Sequence, residues 1–225
     1  ANAYPDEMKS SSVLISVAEQ LFENQRFTAA SIVAGEVLTR EPAAADEFQQ
    51  VAWRVVSHAR FDQASYVYAE QAYRELAQQD ISSSEQDEVQ QRIAASIFRQ
   101  AEADQLAGNI DAAVANYLRI DGSSDIKAKA VFDAATLLIV NERWSDSIPV
   151  LQQFRSIYPD HSLNNDVSQK IAYSYLQAGM LLAAASEFEQ LAINDALSPE
   201  IRRESLWQAA ELYQAQNELA AAKRN

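Results

Sequence analysis

Apolar side chains recur along this chain at the spacing of an amphipathic α-helix. In the first such stretch Leu14, Val17, Ala18 and Leu21 stand at positions i, i+3, i+4 and i+7, which share one stripe of a helix. The stripe returns over 48–55, 131–138, 171–175 and 206–213. Because each stripe mixes large with small side chains, a neighbouring helix has to cover it and can approach it closely. The chain is therefore expected to be a series of packed helices.

A second pattern marks the beginnings of the partner helices: an aromatic or aliphatic residue is followed three positions later by a small one. The pairs are Phe27 and Ala30, Phe61 and Ala64, Ile110 and Ala113, Trp144 and Ser147, Leu181 and Ala184, and Leu219 and Ala222. Their first members follow one another at intervals of 34, 49, 34, 37 and 38 residues. The interval of 49 equals 34 plus 15, and the extra residues are expected near 78–88, a polar stretch without an apolar stripe. The spacing predicts repeated helix–turn–helix units with one insertion.

Cap residues and prolines predict where some helices begin. Ser84, followed three positions later by an acidic residue, predicts the N-terminus of a long helix from about Glu85 to Ala107. Pro149 falls inside the expected second helix of the fourth unit. A helix capped at Ser145 would tolerate this proline, because it would then lie in the first turn, where N–H groups have no partner within the helix.

The composition agrees with long helices and short connections. Only 4 Gly and 5 Pro occur among 225 residues, Ala is frequent, and 48% hydrophobic residues suffice for a core. One solenoid is expected over 12–225, with a truncated last repeat, after an N-terminal tail over 1–11 that is free to be disordered. Since the chain lacks an initiator Met and stops before a second helix could form in its last unit, we expect a fragment of a longer protein.

The 34-residue helix–turn–helix unit, with its small residues, short polar turn and closing Pro42 and Pro159, resembles the tetratricopeptide repeat (TPR). The resemblance covers about five and a half units, from Ser12 to the C-terminus. It implies an all-α fold, a right-handed α-α superhelix in which the first helices of successive units line a concave groove. Two positions depart from the family pattern: Asp104 replaces a large apolar residue, and Ser147 replaces the usual alanine.

In repeats of this family, peptides or helices of partner proteins bind in the concave groove. The resemblance therefore implies a non-catalytic interaction scaffold, in which aromatic side chains anchor one partner segment. By register, the candidate groove residues are Phe22, Trp53, Val56, Phe132, Thr136, Ile139, Tyr173, Leu176 and Trp207, accompanied by Glu19, Phe98, Glu102, Gln105 and Glu211. The alternative is that these side chains only pack neighbouring first helices together.

The charge balance narrows the class of partner. A formal net charge of −14 argues against nucleic acid and against an anionic membrane surface, and no run of 18 apolar residues could insert into a bilayer. Family members that clamp acidic chaperone tails carry Lys, Arg and Asn on their first helices. The corresponding places here hold Ile15, Gln49, Trp53, Phe132 and Thr136. An apolar or basic protein segment is therefore the expected partner.

The residues of an enzyme are not apparent in the sequence. The four glycines are isolated, which excludes a Gly-rich phosphate loop, and the chain has no Cys for a thiolate metal site. His58 and His161 are interpreted as solvated or structural, and the carboxylates as solvated helix faces. No catalytic activity, cofactor or metal is expected. A hydrolase using clustered carboxylates of raised pKa is an alternative that a cleft would have to support.

One stretch suggests a location. Residues 151–191, with their Phe-x3-Tyr-Pro-Asp ending and the following Tyr-x3-Gly, are similar to repeats of bacterial envelope proteins, such as outer-membrane assembly lipoproteins and the Tol–Pal coordinator. This similarity implies a periplasmic or outer-membrane-associated protein, with the cytoplasm as the alternative. Two further functions stay open: a regulatory module attached to an enzyme domain outside this chain, and self-association through the uncapped last repeat.

Overall fold

The protein, seen in a computed structural model, is all-α over its described residues, which are 4–122 and 125–216, with side chains described from residue 10 onwards. These residues form α1 (Tyr4–Glu23), α2 (Phe27–Leu38), α3 (Asp46–Asp62), α4 (Tyr66–Leu76), α5 (Ser83–Leu106), α6 (Ile110–Leu118), α7 (Asp125–Val140), α8 (Trp144–Ile157), α9 (Asn164–Gln177), α10 (Leu181–Ala192) and α11 (Pro199–Ala215). The helices alternate with short turns as hairpins. The prediction of an all-α protein built of repeated helical hairpins is confirmed for the described residues.

The chain divides into two compact units, Ala1–Ala107 and Gly108–Asn225. In the first unit each helix from α1 to α5 packs on the next, and α1 also contacts α3. In the second unit each helix from α6 to α11 packs on the next. Within each unit, helices are therefore stacked in chain order. The single solenoid expected over 12–225 stays a prediction.

The hairpin turns share one backbone conformation. A residue with positive φ lies two positions before each second helix: Gln25 (59°), Ala64 (57°), Gly108 (77°), Glu142 (57°) and Gly179 (73°). In the first turn the Gln25 N–H donates to the Phe22 carbonyl and the Arg26 N–H to the Leu21 carbonyl, both at 2.8 Å. This pair of hydrogen bonds is the Schellman motif, which ends a helix on a left-handed residue. Equivalent positions in different repeats can therefore be found by counting from this left-handed residue.

The small residues of the sequence pattern are buried at fixed distances from this left-handed residue. Seven positions before the left-handed residue stand Ala18, Ser57, Ala101, Ala135 and Ala172, and five positions after it Ala30, Ala69, Ala113, Ser147 and Ala184. All ten are 0% exposed. Because they have at most one heavy atom beyond Cβ, the two helices of a hairpin and their neighbours can approach closely. The large residues around them then fill the core.

The predicted register of the second repeat was wrong. Phe61 was expected to begin its second helix, but it lies in the last turn of α3, and the second helix begins at Tyr66. Tyr66 with Ala69 satisfies the same aromatic-to-small spacing, and Ala69 is fully buried whereas Ala64 is exposed. Second helices therefore begin at intervals of 39, 44, 34 and 37 residues. The 15 extra residues are divided between the first two intervals. They do not form one insertion near 78–88.

The long helix expected after that insertion is present but begins earlier than predicted. Its N-cap is Ser82 instead of Ser84, and the Ser82 hydroxyl accepts a hydrogen bond from the Glu85 N–H at 3.2 Å. Ser82 and Glu85 stand at the Ser-x-x-Glu spacing of a capping box. The resulting helix α5 runs over Ser83–Leu106.

The expected N-terminal tail is largely helical. α1 begins at Tyr4, so of the tail predicted over 1–11 only residues 1–3 lie outside the described residues. Arg40 extends from the end of the first hairpin and donates to the hydroxyls of Ser10 and Ser11, the latter at 3.0 Å. Pro5 is compatible with this helix because a proline in the first turn removes no helical hydrogen bond.

Two further expectations concern helix ends. α8 is capped by Arg143 instead of Ser145, so Pro149 is the sixth residue of the helix and cannot donate to the Ser145 carbonyl. Its exposed position lets water reach that carbonyl.

In the last repeat, the second helix predicted from Leu219 and Ala222 lies outside the described residues.

Candidate partner-binding surface

The left-handed turn residues define one face on the first helices, which we name the first-helix face. It consists of the residues ten, six and three positions before each turn residue. In the second unit these are Phe132, Thr136 and Ile139 on α7, and Gln169, Tyr173 and Leu176 on α9. Five sequence-predicted residues, Phe132, Thr136, Ile139, Tyr173 and Leu176, thus stand at equivalent positions of consecutive first helices.

Tyr173 is the most accessible aromatic residue of this face. Its side chain is 45% exposed, and its ring lies edge-on to Trp144, with 5.4 Å between the ring centroids. Trp144 is the first residue of α8 and is itself half-buried. Tyr173 is therefore exposed to a partner while its orientation is held by the preceding hairpin.

Phe132 occupies a more enclosed position on the same face. Its ring is edge-on to Phe154 at a centroid distance of 6.3 Å, and Lys170 Nζ lies 5.4 Å from its centroid. A cation at this distance is attracted by the face of the ring. Phe132 thus fills the space between α7, α8 and α9, which supports the packing interpretation for this residue.

Thr136 places an unsatisfied polar atom on the face. Its Oγ1 is buried and has no hydrogen-bond partner among the described residues, although the side chain as a whole is half-buried. A buried hydroxyl without a partner costs free energy. Because Oγ1 is enclosed by the protein, it adds no accessible polar group to this face.

The first unit presents a different face. With the turn at Ala64, the face residues of α3 become Arg54, His58 and Phe61, so the predicted Trp53 and Val56 do not belong to it. Val56 instead packs against the hydrophobic core of this unit. Phe22 is at a face position of α1, but it also packs on that core and lies 5.4 Å from Phe27 between ring centroids.

Arg54 and His58 line a polar cleft of about 320 Å³ between α3, α4 and the first turns of α5. His58 Nδ1 lies 2.9 Å from the Tyr73 hydroxyl, and Tyr73 is fully buried. Burial lowers the pKa of His58, and the positive charge of Arg92 lowers it further. Burial also raises the pKa of Tyr73. Both groups are therefore neutral near pH 7, and their hydrogen bond joins the tyrosine oxygen and Nδ1.

Two ion pairs close the cleft. Arg54 donates to Glu85 Oε1 through Nε at 2.8 Å and Nη2 at 2.5 Å, and Arg92 lies 3.8 Å from Glu88. The guanidinium of Arg92 also lies 5.8 Å from the centroid of Phe61. Each cation is therefore matched by a carboxylate, and the His58–Tyr73 pair is satisfied internally. This arrangement agrees with a structural role for His58.

Sequence reasoning missed this cleft although one signal was present. Arg54 and His58 stand four residues apart on one helix, which puts them on the same side of α3. Because of the register error at Phe61, the predicted groove was placed at Trp53 and Val56 instead of on that side.

Two further sequence candidates, Trp207 and His161, lie apart from these clusters. Trp207 is 62% exposed on α11, where the following turn, which would fix its register, lies outside the described residues. His161 contacts Phe154 at a centroid distance of 5.3 Å and accepts from the Leu163 N–H at 3.1 Å, which makes it part of the loop between α8 and α9.

Two searches of the described residues for other kinds of site gave negative results. No group of three or more His, Asp or Glu side chains in the described part of the chain could hold a metal ion. None of the described helices is both long enough and apolar enough to cross a membrane.

Comparisons with known proteins give similarity to solved structures only. No protein-family model matches the sequence, and no curated protein matches it closely enough to count as a relative. The chain is similar to BtubC (BKLC) from P. vanneervenii at 14% identity and a TM-score of 0.46, over 100% of this chain and 88% of that one. It is similar to the MamA protein at 12% identity and a TM-score of 0.40, over 93% and 95% of the two chains. It is also similar to the TPR2AB domain of yeast Sti1 in its pHSP90 complex, at 12% identity and a TM-score of 0.34, over 95% and 87%.

Proposed function

We propose that this chain is a protein-interaction module that binds a partner segment along its first helices. The observation that carries the proposal is Tyr173, an aromatic side chain that is 45% exposed yet oriented by Trp144 on the first-helix face. An exposed aromatic residue that is already fixed loses little conformational entropy when a partner covers it, and it buries a large area. The module acts by presenting surface, without a catalytic step.

The side chains around Tyr173 support a largely apolar contact. Ile139 and Leu176 stand three positions before their turns, at equivalent places on α7 and α9. Val140, next to Ile139 at the end of α7, is 73% exposed. A partner segment that covers this region would remove aromatic and aliphatic area from water.

Charge favours the same class of partner. The formal net charge of −14 repels nucleic acid and attracts basic segments at long range. The proposed partner is therefore a protein segment with apolar anchors and a neutral or positive charge.

Photo-crosslinking tests the proposal at the face itself. Tyr173 would be replaced by p-benzoylphenylalanine, with the same replacement at Leu182 as the control. Leu182 is 49% exposed on the second helix of the same hairpin. We expect an adduct with a defined protein from the source cell at position 173 and none at position 182. The variant Tyr173→Ala should weaken binding of that protein by about tenfold. Adducts of equal yield at both positions, or none at position 173, would contradict the proposal.

Location and assembly are proposed on sequence grounds alone. A periplasmic or outer-membrane-associated location rests on the Phe-x3-Tyr-Pro-Asp ending over 154–160. Fractionation of the source cell tests it, and recovery in the cytoplasm would contradict it. Self-association through the last repeat is tested by light scattering over a range of concentrations, and a constant monomer mass would contradict it.

A further inference from the structure

The fourth and fifth repeats differ at the residue ten positions before the turn. In the fourth repeat this residue is Phe132, and it packs on Phe154, which stands twelve positions after the turn residue Glu142. The equivalent residues of the fifth repeat, counted from Gly179, are Gln169 and Leu191. An amide has replaced the aromatic ring, so the space that Phe132 fills in one repeat is left open in the next.

A cleft of about 530 Å³ lies at this place, between α9, α10 and α11. Its floor is apolar and is formed by Phe188, Leu191 and Ile201. Leu191 is 2% exposed, and the other two residues are partly buried hydrophobic side chains that pack on the core around it. The floor therefore offers apolar area that a large side chain could cover.

The rim of the cleft is charged. It carries Glu200, Glu204 and Arg203, all exposed and all in the first turns of α11. Glu204 accepts a hydrogen bond from Gln208 at 3.1 Å, and neither Glu200 nor Arg203 forms an ion pair within the described part of the chain. Two carboxylates against one guanidinium leave the rim negative, in a chain whose formal net charge is −14. A cation beside the apolar floor would be attracted both locally and at long range.

We propose that this cleft receives a large apolar side chain of a partner segment that carries Lys or Arg beside it. The inference rests on the proposed function, because Gln169 belongs to the first-helix face and the cleft continues that face towards α11. The apolar side chain replaces, in the fifth repeat, the ring that Phe132 supplies in the fourth. The basic neighbours contact Glu200 and Glu204.

Four capped tripeptides test separately whether the cleft needs an apolar side chain and whether it prefers basic residues beside that side chain. The probes are acetylated and amidated Lys-Phe-Lys, Glu-Phe-Glu, Ser-Phe-Ser and Lys-Ala-Lys, titrated into the whole chain while the methyl resonances of Leu191 and Ile201 are followed by NMR. We expect Lys-Phe-Lys to shift these methyl groups at concentrations about fivefold lower than Glu-Phe-Glu, with Ser-Phe-Ser between them. Lys-Ala-Lys should leave the methyl resonances unchanged, because it lacks the group that fills the floor.

Two variants locate the effect. Gln169→Phe should fill the cleft as Phe132 fills its own, so that Lys-Phe-Lys no longer shifts the methyl groups while the melting temperature is kept or raised. The double variant Glu200→Gln, Glu204→Gln should keep binding but remove the preference of Lys-Phe-Lys over Glu-Phe-Glu. Both changes avoid the buried floor, so the fold is retained for the comparison.

Several results would overturn the inference. These are equal binding of the Lys-Phe-Lys and Glu-Phe-Glu probes, binding that Gln169→Phe leaves intact, or no shift with any probe. A dimer of the free chain that Gln169→Phe dissociates, seen by sedimentation, would show that a second copy occupies the cleft and would also overturn it. Crosslinking at Tyr173 is independent of these results. The proposed function can therefore hold when the cleft assignment fails, and the cleft can bind the probes when crosslinking at Tyr173 fails.

Discussion

The hydroxyl oxygens of Ser147 and Ser174 lie 2.9 Å apart, and both serines are fully buried where α8 packs on α9. Ser147 Oγ also lies 2.8 Å from the carbonyl of Trp144, to which it donates, so its lone pairs are left to accept the proton of Ser174. The equivalent position is alanine in the other described hairpins. The serine at position 147 is therefore a polar link between two neighbouring hairpins.

Removing both hydroxyls should cost less stability than the sum of the costs of removing each one alone. Ser147→Ala leaves the buried Ser174 hydroxyl without this partner, which costs about 1–2 kcal/mol, whereas Ser174→Ala leaves Ser147 its hydrogen bond to the Trp144 carbonyl and should cost less. In the double variant no orphaned hydroxyl remains, so its cost should be smaller than the sum of the two single changes. Urea unfolding of the four proteins measures this coupling. Strictly additive costs would show that the two hydroxyls do not depend on each other.

The left-handed turn residues offer a test of backbone strain. Glu142 has a φ of 57°, a region that side chains with a Cβ enter at a cost, so Glu142→Gly should stabilise the protein by about 0.5–1 kcal/mol. Glu142→Ala is the control, because it removes the side chain without relieving φ. In the opposite direction, Gly179→Ala should destabilise by about 1 kcal/mol. A Cβ at Gly179 would meet nothing within 4 Å, so this loss would come from φ alone. A lower melting temperature for Glu142→Gly than for Glu142→Ala would contradict the strain argument.

Pro149 is expected to weaken α8. It is exposed, lies at the sixth position of the helix and cannot donate the hydrogen bond that other residues would give to the Ser145 carbonyl. Pro149→Ala should therefore raise the free energy of unfolding by about 1–3 kcal/mol. The exposed Gln153→Ala, one turn later, is a suitable control and should change stability by less than about 0.5 kcal/mol. A neutral or destabilising effect of Pro149→Ala would indicate that the helix is already adapted to the proline.

The sequence was sufficient for the architecture but not for the register of every repeat. The spacing of large and small residues placed the hairpins because close helix packing needs a fully buried small side chain at fixed positions. It failed at Phe61 because the same spacing occurs again at Tyr66, five residues later. The deciding feature is the positive φ of Ala64, and alanine does not mark a left-handed turn as Gly108 and Gly179 do.

The same physical limit decided which of the predicted site residues share the first-helix face, while their role in binding stays a prediction. Thr136, Ile139, Tyr173 and Leu176 reached the first-helix face because the turns of their repeats were placed correctly. Trp53 and Val56 did not, because their repeat was displaced by the error at Phe61. The cleft at Gln169 depends on the size of one side chain relative to its equivalent in the preceding repeat. Such a comparison becomes possible only after the turns have fixed which residues are equivalent.

The buried His58–Tyr73 pair predicts a loss of stability in mild acid. Burial and the charge of Arg92 lower the pKa of His58 below its ordinary value of 6.5, so the unfolded chain binds this proton more readily than the folded one. The stability contributed by the neutral imidazole is therefore fully present above pH 6.5 and is lost as the pH falls from there towards the lowered pKa of the folded state. We expect the melting temperature to fall more between about pH 7.5 and about pH 5.5 in the wild type than in His58→Asn, whose amide can still meet the Tyr73 hydroxyl and does not titrate. His161→Asn removes the other histidine and serves as the control, which should keep the pH dependence of the wild type. If His58→Asn kept the full pH dependence, the titrating group would lie elsewhere in the chain.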